Sequence, residues 1–391
     1  MPASTIAKNL VLPELKILSH QGLNTIVCEK VSEMEVCRRC ASPSKSVYDH
    51  RWVKVKDSPI RVHVPVLMIL KRRFWCKPCK KPFTEPVRGI LPRRRTTQRF
   101  RVAVFEAAKR YKNLSQVRRD FRVSSDFVYR VFYEQLELKR RMNNQYPWPR
   151  AFGIDEHAVG KNKQTGRTQF VTMVVNHVRG SLMDVVKGKT VNELVDGLRH
   201  IPGRENVRFV TMDMCDPYRA FVRLFFPQAH IVADKFHVLR LLSAAIMKER
   251  KSIAGTNATR RARRLLLVSS KKLDFWDQKA IRDGLAAYPK LKELWEFKEA
   301  LHELYRIKNP RTASRNLDSL ILMSQLSPTT EIKTLGKTLL KWKTEILNYF
   351  HTRLTNARVE SFNNSAALVR RCAYGYRSLH NYRLQVLNRC S

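Results

Sequence analysis

Three acidic residues stand where strand ends and one helix face could bring them to a shared cation. Asp155 follows the apolar run Ala151-Phe152-Gly153-Ile154, and Asp213 follows Val207-Arg208-Phe209-Val210-Thr211-Met212 in the same way. Two carboxylates presented side by side at a core edge repel each other and are costly to desolvate. A divalent cation removes the conflict. Hard oxygen donors in an incomplete cage suit Mg²⁺ or Mn²⁺, which keep waters and accept phosphate oxygens. Two such ions about 3.5 to 4 Å apart serve an in-line displacement at phosphorus. The third ligand is expected from another element, and Glu360 is the best candidate, because on a helix Asn356, Glu360 and Asn363 or Asn364 share one face while Val359 and Phe362 pack on the sheet. An ordinary solvated helix glutamate is the plain alternative for Glu360.

Neighbouring polar residues have simpler readings. Asp216-Pro217 reads as N-cap and first residue of a helix, and Asp234 as the cap of a helix starting at Lys235. Glu156 alternates to the opposite strand face from Asp155. His237, taken alone, is a core or capping histidine and is left out of the chemistry.

A second constellation is made of sulfur. Cys37-Arg-Arg-Cys40 and Cys76-Lys-Pro-Cys79 fall within one short window of a chain with 8 cysteines. Each pair sets two thiolates on a tight knuckle, so four sulfurs can converge on one structural Zn²⁺. Redox pairs are the rival reading. The metal would supply folding free energy to a segment thin in apolar residues.

The elements that position these groups follow from the chain pattern. Residues 1–92 hold β-branched runs, prolines and both cysteine pairs, a small zinc-ribbon-like β domain. Residues 93–148 turn helical and basic, and Leu114, Val117, Phe121, Val123, Phe127 and Val128 sit where a helix-turn-helix buries its core. Ser124 or Ser125 caps the second helix, whose exposed start would offer Ser125, Asp126, Tyr129 and Arg130 to a major groove. Arg122 occupies the turn position where glycine is common, at some cost in strain. Asn143, Asn144, Pro147 and Pro149 then suggest a linker.

Residues 149–250 read as three meandering strands followed by alternating strand and helix, a mixed α/β sheet. Residues 251–347 read as all-helical, and 348–391 as a last helix with a basic tail in which Arg370, Arg371, Tyr374 and Tyr376 could hold phosphates or stack on a flipped base. The fold class is therefore multidomain α+β. With 75 Lys and Arg against 33 Asp and Glu, the formal charge of +42 demands a polyanionic partner. No apolar run spans a bilayer and the start lacks a secretory pattern, so a cytoplasmic location is expected, without membrane partners.

Taken together, the cysteine pairs, the helix-turn-helix, GIDEHA around Asp155, TMDMCDPY around Asp213, ADKFHV at 233–238 and NARVESFNNSAALVRRCAYGY at 356–376 resemble the DDE transposases of bacterial insertion sequences, ISL-three group, over nearly the whole chain. The resemblance implies a ribonuclease-H-like catalytic domain (149–250 and 348–391) carrying an all-helical insertion, with Asp155, Asp213 and Glu360 as the Mg²⁺-binding triad. It also implies that Asp234 to His237 is the D-x-x-H signature beside the second aspartate. Double-stranded DNA, both transposon ends and target, is the expected partner, with a homodimer or larger oligomer to join two ends. The rivals are a catalytically silent DNA-binding regulator derived from a transposase, and a basic RNA-binding protein.

Overall fold

The computed structural model describes residues 11–22, 24–60, 63–110, 113–143, 146–161, 166–254, 260–373, 375–376 and 378–390. Asn144 and Tyr374 of the expectations above lie outside the described residues. The chain divides into two compact units, residues 1–142 and 143–391.

The first unit opens with strands β1 (Leu15–Gln21), β2 (Thr25–Lys30), β3 (Glu35–Val36), β4 (Pro43–Ser44), β5 (Val47–Lys56), β6 (Val66–Cys76) and β7 (Lys81–Thr84). Five of these form a sheet of order β1-β2-β6-β5, with β7 also on β6, while β3 and β4 make a separate two-stranded piece. The long β6 alternates as a half-buried strand should: Leu67 and Ile69 are fully buried against Cys28 and Val55. Helices α1 (Gln98–Arg110), α2 (Leu114–Phe121) and α3 (Ser125–Asn143) follow. Their core is Phe100, Val104, Val117, Phe121, Val128 and Val131. Buried Asp57 joins sheet to helices, accepting from Thr97 Oγ1 and Arg99 Nε at 2.7 Å each.

The break between α2 and α3 matches the expected turn. Arg122 is left-handed at φ 48°, its N–H bonds back to the Arg118 and Arg119 carbonyls, and its own carbonyl accepts from Lys56 Nζ at 2.5 Å. Ser124 caps α3, its Oγ accepting from Phe127 N at 3.2 Å. Leu114 departs from the expectation: it is exposed, although helical spacing sets it on the same face as the buried Val117 and Phe121.

In the second unit β8 (Ala151–Lys161), β9 (Thr168–Asn176) and β10 (Ser181–Lys187) are antiparallel neighbours. Then come α4 (Val191–Leu198), β11 (Phe209–Met212), α5 (Asp216–Phe225), β12 (His230–Ala233) and α6 (Lys235–Arg240). The sheet order is β10-β9-β8-β11-β12, with β11 parallel to both β8 and β12. Parallel crossovers need covering helices on the sheet faces. On one face α4 and α5 bury Leu194, Leu198, Phe221 and Val222 against Phe152, Ile154, Val210 and Met212.

Helices alone fill 243–352 among the described residues: α7 (Ser243–Ala254), α8 (Arg260–Leu267), α9 (Phe275–Leu285), α10 (Pro289–Leu304), α11 (Pro310–Leu326), α12 (Thr330–Lys341) and α13 (Lys343–Thr352). The chain returns in α14 (Ala357–Cys372) and α15 (Leu379–Cys390), which cover the other face through Val359, Ala366, Val369, Tyr382 and Val386.

Close approach of α14 to β8 needs a residue without Cβ. At Gly153 a Cβ would stand 2.6 Å from Val359 Cγ2 and 2.7 Å from both Asn356 Oδ1 and Thr211 Oγ1. Gly153→Ala must therefore push the helix off the strand, at a cost of about 1 to 3 kcal/mol, the usual range for overpacking. Urea unfolding of the variant, followed by circular dichroism, should show that loss; wild-type stability would mean that the contact is loose.

Candidate functional site

The sheet register places three acids in one row. β8 pairs with β11 as Ala151↔Phe209 through Gly153↔Thr211, and β11 with β12 as Phe209↔His230 through Met212↔Ala233. Continued by one or two residues, these registers set Asp155 beside Asp213 and Asp213 beside Asp234, on strands about 4.8 Å apart. Strand alternation puts Asp155 on the same face as Gly153, the face on which α14 lies.

Helix α14 is tied into this row by its two asparagines. Buried Asn356 gives its Nδ2–H to the Ile154 carbonyl at 3.0 Å, accepts from Thr211 Oγ1 at 2.8 Å, and sends its backbone N–H to Asp234 Oδ1 at 3.1 Å. Two turns on, Asn363 Nδ2 donates to Asp155 Oδ2 at 2.8 Å. Glu360 lies between them in sequence, on the same helix face by periodicity. It is exposed, and its side chain makes no hydrogen bond or ion pair with a described residue.

Next to the acids, His237 Nδ1 lies 2.8 Å from Asp213 Oδ1 and 3.0 Å from Asp234 Oδ2. Asp234 caps α6 as expected, its side chain accepting from the His237 N–H. Asp213, Asp234 and His237 thus hold three potential ligand atoms within 4.8 Å of one another. Read from sequence as a core or capping histidine, His237 lies in the structure against both carboxylates. Only the parallel register of β11 and β12 brings the i,i+3 pair of Asp234 and His237 up to Asp213, and that register is not written in local spacing.

The electrostatics follow from crowding. Burial, then the facing Asp213 carboxylate, push Asp155 up to about 7. Hydrogen bonds to the Asp213 and Asp234 carboxylates raise His237 to about 10, so it stands as a cation between them. Asn363 Oδ1 is a buried acceptor with no hydrogen-bond partner among the described residues, and the buried Asp213 Oδ1 has only the His237 imidazole beside it. Acceptor oxygens left in this state beside carboxylates suit a hard divalent cation.

Other acids are spent elsewhere. Glu156 points away and pairs with Lys189 at 2.8 Å. Asp216 is the first residue of α5 rather than its cap, the cap position falling to Cys215, and it pairs with Lys341 at 2.6 Å. Arg370 Nη1 reaches the Ala158 carbonyl at 3.3 Å, and Arg371 is exposed.

In the first unit the two cysteine pairs meet. Cys37 Sγ is 4.0 Å from Cys79 Sγ and Cys40 Sγ is 3.4 Å from Cys76 Sγ, and all four lie within 4.8 Å of one another. These separations are far beyond a disulfide bond. They bracket the roughly 3.8 Å between sulfurs that a tetrahedral ion with 2.3 Å bonds requires. Both knuckles turn alike: Ala41 and Lys80, each directly after a second cysteine, are left-handed at φ 58° and 50°. Hydrogen bonds from the Ser42 hydroxyl and amide lower Cys40 to about 6, favouring the thiolate. Ser125, Tyr129 and Arg130 stand exposed on the first turns of α3.

A family model described as a transposase, of the DDE type and ISL-three group, matches residues 152–386, more than half of the chain. The chain belongs to this transposase family. A relative named as the transposase for insertion sequence element IS1001, from Bordetella parapertussis, is 23% identical over 376 residues, covering 93% of this chain and 90% of that protein. Membership of the transposase family implies use of divalent metal and a DNA partner. No helix among the described residues is long and apolar enough to cross a membrane.

Two measurements test the site in the transposase itself. Folded Asp155 keeps its proton to about 7 against an ordinary 3.8, so without added Mg²⁺ or Mn²⁺ its contribution favours the fold at low pH and is lost as pH rises through that window. A melting-temperature series should therefore fall with pH there, and Asp155→Asn should flatten it; an unchanged slope contradicts the buried charge. For the sulfurs, elemental analysis of unchelated protein should find one tetrahedral metal ion per chain, lost in Cys37→Ser/Cys76→Ser.

Proposed function

We propose that this transposase binds the terminal inverted repeats of an insertion sequence and catalyses Mg²⁺-dependent DNA strand cleavage and strand transfer. The observation that carries the reading is the row Asp155 and Asp213 on adjacent parallel strands, with α14 locked across it by Asn356 and Asn363. The sheet order, three antiparallel strands followed by two parallel ones, with helices on both faces, supports a ribonuclease-H-like domain made of 149–250 and 348–391. The helices of 251–347 are its insertion.

Asp155, Asp213 and Glu360 would hold the divalent ions, Mg²⁺ or Mn²⁺. Asp234 is already committed to the Asn356 N–H and to His237, whereas Glu360 is unspent on the same helix face. When bound, a pair of such ions neutralises charge at phosphorus and activates the attacking oxygen of water or a 3′-hydroxyl. The chain's own residues orient the donors. Asn363 holds one oxygen of Asp155, protonated His237 holds Asp213, and Asn356 sets the depth of α14 on the sheet.

The front of the chain would choose the DNA. Residues 1–92 form a zinc-binding domain in which Cys37, Cys40, Cys76 and Cys79 hold one structural Zn²⁺, the soft-donor set and tetrahedral spacing favouring that ion. Residues 93–148 form a helix-turn-helix whose α3 enters the major groove with Ser125, Tyr129 and Arg130. Arg370 and Arg371 would contact phosphates near the cleavage point. Joining two ends requires at least a dimer, acting in the cytoplasm at the nucleoid.

Strand-transfer assays on DNA carrying the element's ends test this reading. Asp155→Asn, Asp213→Asn and Glu360→Gln should each lose about 10³-fold or more of activity, several kcal/mol of electrostatic stabilisation, while end binding persists. Activity equal to wild type in the Glu360 variant would remove it from the triad. A wild type that binds ends without cutting would favour the silent regulator.

A further inference from the structure

The first unit carries a second built feature, unrelated to the acids. A cleft of about 1070 Å³ is lined by Arg38 of the first cysteine knuckle, by Arg51 and Lys54 of β5, by Lys71 of β6, and by the arginine run 93–95. A neighbouring hollow of about 560 Å³ shares Lys54 and that run, and continues to Arg122, Ser124 and Arg130 where α3 begins. Among the described lining residues of the first cleft Glu85 is the one acid, and Arg72 already pairs with it at 2.9 Å. The described lining of the second contains no acid.

Like charges gathered in this way repel one another, and here Arg101 is buried and Lys71 half-buried as well. The Arg101 side chain, 1% exposed, lines the second hollow; its Nη2 pairs with Glu134, but its Nη1 has no hydrogen-bond partner among the described residues. A buried donor left unmet costs about 1 to 3 kcal/mol, and phosphate oxygens would meet it. At the other end, burial lowers the pKa of Lys71, and Arg51 and Arg38 lower it further against the opposing pull of Glu85.

We propose that the two hollows form one groove that holds a phosphate backbone of duplex DNA, with Arg93, Arg94 and Arg95 as the clamp linking the cysteine knuckle to the first turn of α3. Arg93 is left-handed at φ 59°, which bends the run between the two hollows. Duplex fits better than single strand, because a single-strand channel stacks bases on a series of aromatic rings. The first cleft offers only Trp52 and the second only Phe127 among described lining residues. The inference deepens the DNA-binding reading of this unit and rests on it: base contacts from α3 choose the sequence, and the groove supplies backbone affinity and register.

The test uses the full chain and a fluorescent duplex of random sequence, with anisotropy titrations over a KCl series. The groove variant is Arg51→Gln, Lys54→Gln, Arg93→Gln and Arg95→Gln. The control carries Arg311→Gln, Arg315→Gln, Lys333→Gln and Lys337→Gln, exposed positions of α11 and α12 with the same change in charge. Four lost phosphate contacts should reduce the slope of log K against log[KCl] by about 3.6 and weaken binding about 10³-fold near 0.1 M salt, while the control stays within about half a unit of wild type. Equal slopes in groove variant and control overturn the proposal, as does a larger slope change with a single-stranded or RNA probe. A transposon-end duplex read in parallel separates the two claims. Absence of end preference in the wild type defeats the sequence-specific reading, whereas the salt slope judges the groove alone.

Discussion

Two carboxylates on neighbouring strands, in a pocket that excludes much of the water, cannot both ionise without a cation close by. Everything around Asp155 and Asp213 answers that constraint. Alone, Asp155 retains its proton to about 7, and Asp213 leans on a protonated imidazole. Both are partial remedies. A divalent ion in front of the row would be the complete one, displacing the proton and giving both carboxylates a shared cation.

The fold can be understood as the apparatus that maintains this crowding. Apolar side chains on both faces make the central strands immovable: Phe152 and Ile154 face one helical layer, and Gly153 admits α14 from the other. Because Asn356 touches β8, β11 and the cap of α6 together, the start of α14 is fixed against Asp234 and against the two strands that lead into Asp155 and Asp213. Such a residue couples chain segments more than 100 positions apart, which explains how a long helical segment can sit between β12 and α14 without loosening the site.

Some of this was legible in the sequence and some was not, for identifiable reasons. Asp155 and Asp213 could be found because an apolar run directly precedes each, and strand periodicity then decides the face. The shared face of Asn356, Glu360 and Asn363 followed from helical spacing, and the structure puts both asparagines to work there. The left-handed Arg122 was anticipated from its place in the turn, and a lysine contact to its carbonyl offsets the strain. The contact of His237 with Asp213 was not legible in local spacing because it depends on strand pairing. Asp216 was misplaced by one residue, since Cys215 supplies the extended cap conformation without a capping side chain. The basic groove escaped notice because its residues come from five separate segments that only the tertiary fold assembles.

Anomalous scattering from crystals of the protein grown with Mn²⁺ and a transposon-end duplex tests the central claim most directly. The account predicts manganese bound between Asp155 and Asp213, with the Glu360 carboxylate among its ligands. An ion held instead by Asp213, Asp234 and His237, with Asp155 and Glu360 outside its coordination, would contradict it.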